Sequence, residues 1–217
     1  MKKLFIFDFD GTLVDTKTIV KNGILDFSKE NSLPVPDIDL ICLGYSNPDN
    51  YDFGWGVDKQ KQKEIMDKTF ISISEKISNG TYIPTMFKNT EEILKILSEN
   101  GSTLAICTSR EKDACLNILE YYNIKKYFKI FKTREDVTLR NKKPKPNPEL
   151  VLEIIDELSF KKENTFIVGD TDADIIAGKN ANIKSVGVSW GYFGKEQIKN
   201  CNCDFIIDDF LELKNLI

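Results

Sequence analysis

The sequence predicts an α/β fold, a Rossmann-like doubly wound parallel sheet that carries a helical insertion. Short apolar runs alternate with amphipathic stretches after residue 84, a pattern typical of a parallel sheet covered by helices on both faces. The first apolar run, Leu4-Phe5-Ile6-Phe7, is bounded by a turn signal at Gly11 and reads as a fully buried strand. Residues 16–83 lack the alternation and read as helices.

The alternating region divides into strands and helices in a regular order. Apolar runs predict strands over residues 103–107, 127–131, 165–168, 185–188 and 205–207, and residues 4–9 are expected to join the same sheet. Helical periodicity predicts helices over residues 90–99, 113–122, 148–158 and 173–181. In such a sheet, ligands bind beyond the carboxyl ends of the strands.

The insertion is predicted to be helical and to interrupt the core between its first and second strands. Residues 16–31 read as one helix, and Met66, Phe70, Ile73 and Ile77 form a helical packing stripe in a second. The predicted domains are therefore an α/β core of residues 1–15 and 84–217 and a helical segment of residues 16–83.

Composition excludes several functional classes. The net charge of -4 gives no basic footprint for nucleic acid, and no apolar run approaches the roughly 18–20 residues of a membrane span. We therefore expect a cytoplasmic protein with neither nucleic acid nor membrane as partner. The chain has no histidine, which excludes Ser-His-Asp and Cys-His systems and most catalytic zinc sites. Its five cysteines also lack zinc-site spacing.

Chemistry-bearing residues follow the predicted strands. Asp8 and Asp10, in Asp8-Phe9-Asp10-Gly11-Thr12, can point to the same side, and their repulsion requires a shared cation or proton. Three further signals are Thr108-Ser109-Arg110 after a strand, the lysine run of residues 142–148, and Gly169-Asp170-Thr171-Asp172-Ala173-Asp174 at the start of a helix.

In this order, the four motifs resemble those of the haloacid dehalogenase-like hydrolase superfamily, over essentially the whole chain. The closest resemblance is to the phosphoglycolate phosphatase-like branch, which the runs Gly187-Val188-Ser189-Trp190-Gly191-Tyr192 and Cys203-Asp204-Phe205-Ile206-Ile207-Asp208 also match. The resemblance implies that the helical insertion is a cap domain that closes over the site and selects the substrate. It also implies a small-molecule phosphate monoester as the partner.

The resemblance implies a role for each matched residue. Asp8 would attack phosphorus to form an aspartyl-phosphate, and Asp10 would protonate the leaving oxygen and then activate water. Thr108 would bind the transferring phosphoryl group, and Lys143 would pair with that group and with Asp8. The implied Mg²⁺ ligands are Asp8, the backbone carbonyl of Asp10, and Asp170, with Asp174 in support. Ser109, Arg110 and Gly11 are candidate phosphate-binding residues, while Lys142 and Lys145 read as surface charges.

Physical chemistry supports this assignment independently. A phosphate dianion repels a carboxylate nucleophile, so a divalent cation and a lysine must neutralise charge before attack. Oxygen ligands suit Mg²⁺, and no softer metal is implied. Like charges around Asp10 are expected to favour its protonated form, as an acid catalyst requires.

The cap sequence bears on the substrate. Residues 31–58 contain no Lys or Arg but five Asp residues, so a carboxylate-bearing substrate such as phosphoglycolate would depend on Lys17, Lys21 or Arg110. Tyr45, Tyr51, Phe53 and Trp55 offer aromatic faces for a ring or sugar, unless they pack inside the cap. The sequence therefore favours a sugar phosphate or nucleotide over phosphoglycolate.

Three alternatives remain open from the sequence. A β-phosphoglucomutase-like phosphomutase would share the motifs, although that branch usually carries a cap histidine that this chain lacks. Phospho-accepting receiver domains use a similar residue set but are near half this length. A catalytically silent binding protein is the third. The phosphonatase and dehalogenase branches are disfavoured because they lack an aspartate at the position of Asp10.

Overall fold

The computed structural model describes residues 2–36 and 55–217, and the chain folds as two compact units. Unit 1 comprises Met1–Asp15 and Met86–Ile217, and unit 2 comprises Thr16–Thr85. The second boundary, predicted between residues 83 and 84, lies between residues 85 and 86.

Unit 1 is built on a parallel sheet. The strands of the described residues are β1 (Leu4–Phe7), β2 (Val14–Asp15), β3 (Thr85–Met86), β4 (Thr103–Cys107), β5 (Phe128–Lys132), β6 (Thr165–Gly169), β7 (Lys184–Val188) and β8 (Phe205–Ile207). Six of them form one sheet in the order β5-β4-β1-β6-β7-β8, with parallel pairing throughout, while β2 and β3 form a separate two-stranded sheet. The predicted fold class is confirmed.

The helices fill the segments between the strands. They are α1 (Thr16–Glu30), α2 (Lys59–Ser78), α3 (Thr90–Glu99), α4 (Lys112–Tyr121), α5 (Arg134–Leu139), α6 (Glu149–Glu157), α7 (Asp172–Ala181) and α8 (Gly194–Asn200). Short 3-10 helices span Lys125–Tyr127, Lys162–Asn164 and Phe210–Leu216. Helices α5 and α8 were not predicted, because 6 and 7 residues are too few to show a helical period.

The core of unit 1 lies on both faces of β1, whose four residues are all fully buried. Leu4 and Ile6 belong to the cluster formed with apolar residues of α6 and α7. Alternation along the strand directs Phe5 and Phe7 to the opposite face, where Phe7 meets Phe210 with ring centroids 6.4 Å apart. This two-sided burial fixes the end of β1, from which the acidic motif emerges.

Unit 2 contains α1 and α2, which pack closely against each other. A side chain at Gly23 of α1 would approach the Cγ1 atom of Ile73 to 2.4 Å, so the helices meet where α1 has no side chain. Asp58 caps α2 by accepting a hydrogen bond from the Lys61 amide at 2.8 Å. Met66, Ile73 and Ile77 of the predicted stripe are buried, and Phe70 is partly buried.

Across the described ranges, no helix combines the length and the apolar character needed to cross a membrane. Of the four cap aromatics, Tyr45, Tyr51 and Phe53 lie outside the described residues, whereas Trp55 is described and buried.

Candidate active site

The candidate site lies beyond the carboxyl ends of β4, β1 and β6, which are neighbours in the sheet. Asp8 follows β1, Thr108 follows β4 and Asp170 follows β6. The Asp8 amide donates to the Val168 carbonyl at 2.8 Å, and the Thr108 amide donates to the Lys132 carbonyl at 2.9 Å. The sheet ladder therefore continues into the site and fixes the backbone of these residues.

Three carboxylates form an acidic cluster. Asp8, Asp170 and Asp174 each present an oxygen, and these oxygens lie within 4.8 Å of one another. Asp174 is held by the first turn of α7, where the Thr171 amide and hydroxyl donate to its Oδ2 at 3.2 and 2.9 Å. This capping box fixes the carboxylate while it begins the helix.

The lysine that enters this cluster is Lys145, and the prediction for Lys143 was wrong. The Lys145 Nζ lies 2.7 Å from Asp8 Oδ1 and 2.6 Å from Asp174 Oδ1, and its side chain is only 7% exposed. Lys145 is therefore not the surface charge that was expected. Lys143 is exposed, and its amide donates to Glu149 Oε2 at 3.0 Å. Lys142 also pairs with Glu149, at 2.9 Å, so the start of the lysine run is directed toward α6.

Burial dominates the electrostatics of the cluster. It raises the pKa of Asp8 to about 7, with Lys145 opposing the rise and Asp174 adding to it. Burial also raises the pKa of Asp170 well above its usual range, and repulsion from Asp8 and Asp174 adds to that effect. For Lys145, burial disfavours charge, but the Asp174 and Asp8 carboxylates outweigh it and raise the pKa. The ammonium therefore stays charged between the two carboxylates.

Asp170 is fully buried and is held by neutral donors. The Thr12 hydroxyl donates to its Oδ1 at 3.0 Å, and the Tyr192 amide donates to its Oδ2 at 2.7 Å. The indole Nε1 of Trp190 donates to the Thr12 carbonyl at 3.1 Å, which ties this contact to the loop after β7. The run of residues 187–192, which the family resemblance also covers, therefore supports Asp170 through the contacts of Trp190 and Tyr192.

Three glycines make room for the buried carboxylates. A Cβ atom would lie 2.3 Å from Asp170 Oδ2 at Gly11, 2.3 Å from Asp170 Cβ at Gly191, and 2.2 Å from Asp174 Cγ at Gly169. Gly11 also has a φ of +75° and donates its amide to the Val14 carbonyl at 2.9 Å. Gly11 therefore provides the turn and the close approach to Asp170, and its contact with phosphate stays a prediction.

Asp10 is not one of the three carboxylates of the acidic cluster and is bound by Arg110. The Arg110 Nε lies 2.9 Å from both carboxylate oxygens, and its Nη2 lies 2.6 Å from Oδ1. A guanidinium therefore faces Asp10 in addition to the neighbouring carboxylates, and the role of Asp10 as the acid stays a prediction. The Arg110 guanidinium contacts the Asp10 carboxylate, whereas the sequence predicted a contact with phosphate. The Asp10 carbonyl as a metal ligand stays a prediction.

Thr108 is buried at the end of β4, and its Oγ1 accepts a hydrogen bond from the Arg110 amide at 3.1 Å. Ser109 is exposed, and its carbonyl accepts from the Arg134 Nε at 3.0 Å. Cys107 is buried, which raises the pKa of its thiol to about 12 and keeps it neutral. The neutral thiol of Cys107 is a poor nucleophile, so the candidate nucleophile of the site is the Asp8 carboxylate.

The acidic cluster fits a hard divalent cation. Its ligand atoms are carboxylate oxygens, which Mg²⁺ prefers, and the nearby thiol of Cys107 is neutral and so a poor ligand. Buried carboxylates that repel one another are unfavourable unless a cation compensates them. Asp8, Asp170 and Asp174 are the residues that would hold this ion.

The residues of the candidate site fall within a match between this sequence and a known protein family. The sequence model described as "Haloacid dehalogenase-like hydrolase" matches residues 5–188. The chain belongs to this family of hydrolases. The matched range contains every residue of the acidic cluster as well as Asp10, Thr108 and Lys145.

Relatives of this hydrolase carry phosphatase names. It is 27% identical over 215 residues to "Pyrophosphatase PpaX" of Oceanobacillus iheyensis, covering 99% of this chain and 96% of the relative. It is 29% identical over 217 residues to "Probable phosphatase IndB" of Dickeya dadantii, covering 98% and 92%. It is also 29% identical over 197 residues to the "Phosphoglycolate phosphatase" of Aquifex aeolicus, covering 88% and 86%.

Solved structures share the fold over the full chain of this hydrolase. A putative phosphatase from Clostridium difficile has a TM-score of 0.80 at 25% identity, covering 99% of this chain and 98% of that one. A predicted phosphoglycolate phosphatase from Haemophilus somnus has a TM-score of 0.81 at 22% identity, covering 99% and 97%.

Proposed function

We propose that this hydrolase is a Mg²⁺-dependent phosphatase that cleaves small phosphate monoesters through an aspartyl-phosphate on Asp8. The observation that carries the proposal is the buried cluster of Asp8, Asp170 and Asp174 with the Lys145 ammonium inserted into it. Relatives named as phosphatases that align along nearly the whole chain support the same class of reaction.

The first step is attack of an Asp8 carboxylate oxygen on the phosphorus atom. The bond from phosphorus to the ester oxygen breaks, and Asp10 gives its proton to the departing oxygen. Lys145, 2.7 Å from Asp8 Oδ1, offsets repulsion between the carboxylate and the phosphoryl oxygens. Because the Thr108 Oγ1 already accepts from the Arg110 amide, its own proton can be donated to a phosphoryl oxygen.

The second step is hydrolysis of the aspartyl-phosphate. Asp10, now ionised, takes a proton from water as the water oxygen attacks phosphorus, and the bond to Asp8 breaks. This returns Asp8 as a carboxylate, restores the proton to Asp10 and releases inorganic phosphate. Mg²⁺, when bound, supplies charge neutralisation for the nucleophile and the phosphoryl group.

The substrate preference proposed here is for a sugar phosphate or a nucleotide over phosphoglycolate. Residues 31–58 of the proposed substrate-selecting cap contain no Lys or Arg. Arg110, a cation that a substrate carboxylate would require, is engaged by Asp10. Trp55 is buried, so one of the four aromatic side chains offers no face to a substrate. The main support for this preference is therefore the absence of Lys and Arg from residues 31–58.

Hydrolysis of pyrophosphate is a second candidate. It is favoured by relatives named pyrophosphatase that align along almost the whole chain, and it needs no change in the reacting groups. A terminal phosphoryl group would be transferred to Asp8, and phosphate would leave in place of an alcohol.

The test is phosphate release from a panel containing phosphoglycolate, sugar phosphates, nucleotides and pyrophosphate, with Mg²⁺ or with EDTA. We expect turnover that EDTA abolishes and that Asp8→Asn reduces to background. Conversion of glucose 1-phosphate to glucose 6-phosphate without phosphate release would indicate a mutase instead. A specificity constant for phosphoglycolate far above the others would overturn the substrate preference alone.

A further inference from the structure

The site contains a second cation whose contacts differ from those of Lys145. Arg110 places Nε and Nη2 on the Asp10 carboxylate, and its side chain is only 10% exposed. A guanidinium that approaches a carboxylate with two nitrogens fixes its orientation as well as its charge, which a lysine ammonium does not.

Arg110 is itself held in place by the loops on either side. Its amide donates to the Thr108 Oγ1 at 3.1 Å, and its carbonyl accepts from the Arg134 amide at 2.9 Å. The Arg134 Nη1 pairs with Glu111 at 2.7 Å. The turn that carries Arg110 is therefore anchored to β4 at one end and to the start of α5 at the other.

We propose that Arg110 is a positioning residue that fixes the orientation of the Asp10 carboxylate. This inference rests on the proposed function, in which Asp10 moves the proton. The guanidinium contacts both Asp10 oxygens, and Asp10 is not one of the three carboxylates grouped as candidate metal ligands, so the two sets of groups have separate partners. The Thr108 hydroxyl fixes the Arg110 backbone, and in the proposed mechanism the same hydroxyl would donate to a phosphoryl oxygen.

The competing interpretation is that Arg110 binds phosphate directly, as the sequence predicted. The two roles differ in a double-mutant cycle with Asp10→Asn. A positioning role acts only through Asp10, so Arg110→Gln lowers kcat in the wild-type background and changes little when Asp10 is already Asn. If Arg110 binds phosphate instead, Arg110→Gln raises KM, and its effect adds to that of Asp10→Asn.

The experiment measures kcat and KM for wild type, Arg110→Gln, Arg110→Lys, Asp10→Asn and the double variant Arg110→Gln with Asp10→Asn. We expect Arg110→Gln to lower kcat roughly 10–100-fold, less than the full 10²–10⁴-fold that general acid–base catalysis contributes, because Asp10 itself is retained. Arg110→Lys should recover part of this loss, because charge returns without the two-nitrogen contact. Lys162→Gln, at an exposed lysine before β6, is the control and should leave kcat unchanged. A raised KM with additive losses would overturn the proposal.

A second readout does not depend on turnover. The Arg110 Nε–H resonance in ¹H–¹⁵N spectra should exchange slowly with solvent in the wild type and quickly in Asp10→Asn. Rapid exchange in both proteins would overturn the positioning contact. An inactive wild type with a slowly exchanging signal would instead refute the proposed function and leave the contact standing.

Discussion

At the residue scale, Lys145 and Lys143 give the most direct test of the site. We expect Lys145→Met to lower kcat/KM by roughly 10²–10³-fold, because the group that neutralises Asp8 and Asp174 is lost. Lys143→Met should change it less than about twofold, since that side chain is exposed. Steady-state kinetics on the best substrate of the panel measures both.

Both variants replace a lysine of the same segment with methionine, so each variant is the control for the other. Circular dichroism and a melting curve would show that both variants fold. Equal losses in the two, or a greater loss at Lys143, would contradict the placement of Lys145 in the acidic cluster.

Gly169 provides a second residue-scale prediction, which concerns metal binding. Its missing side chain lets Asp174 approach, and an alanine Cβ would lie 2.2 Å from the Asp174 Cγ. Gly169→Ala should therefore displace Asp174 and weaken Mg²⁺ binding about tenfold or more, because even a residue that only supports the ligands of a metal typically contributes this much. Titration calorimetry with Mg²⁺ measures the change.

Gly80→Ala is the control for this substitution. Gly80 has a φ of +78°, and a Cβ atom added there would have no neighbour within 4 Å. Alanine at this position therefore costs about 1 kcal/mol of stability through its backbone conformation but leaves the acidic cluster intact. An unchanged Mg²⁺ affinity in Gly169→Ala would show that Asp174 does not support the ion.

At the element scale, the sequence located the strands that carry the site but not every side chain in it. The apolar runs before Asp8, Thr108 and Asp170 end where β1, β4 and β6 end, within two residues in each case. Strand periodicity and the rule for carboxyl ends therefore sufficed for these three positions.

The lysine run shows why the remainder could not be predicted. Residues 142–148 contain three lysines and three prolines with no periodic pattern, so spacing does not distinguish one lysine from another. Glu149 of α6 determines which lysine enters the acidic cluster. It binds Lys142 and the Lys143 amide, and Lys145 is the lysine that reaches Asp8. The Arg110 contact with Asp10 likewise joins residues 100 positions apart, which no local pattern reveals.

The same loop yields an element-scale prediction for Glu149. Glu149→Gln removes the negative charge that holds Lys142 and the Lys143 amide, so the segment that presents Lys145 should loosen. We expect kcat to fall about three- to tenfold, since small misplacements of catalytic groups are costly. Glu163→Gln, at an exposed glutamate before β6, is the control. A stability loss without any change in kcat would show that Glu149 acts on the fold alone.

At the scale of the whole molecule, an ionic network joins β5 to α5 and α6. Lys132, buried at the end of β5, pairs with Glu157 and lies 3.2 Å from Glu153. Glu153 also pairs with Lys142 at 2.8 Å and with Arg140 at 3.1 Å. The network therefore links the strand that receives the Thr108 amide to the helix that holds the lysine loop.

Glu153 should make the stability of the fold depend on pH. Its hydrogen bond from Lys142 and its contact with Lys132 lower its pKa to about 2, against the opposing effect of burial. An unfolded glutamate has a pKa of about 4.3, so the stabilisation is complete above about pH 5 and is lost as the pH falls toward 2.

Urea unfolding of Glu153→Gln should show a loss of about 1.5–3 kcal/mol near pH 7 that shrinks steadily below pH 5. Glu196→Gln, on an exposed pair with Lys199, should show no such trend. A loss in Glu153→Gln that stays constant with pH would mean that packing, rather than charge, explains its contribution.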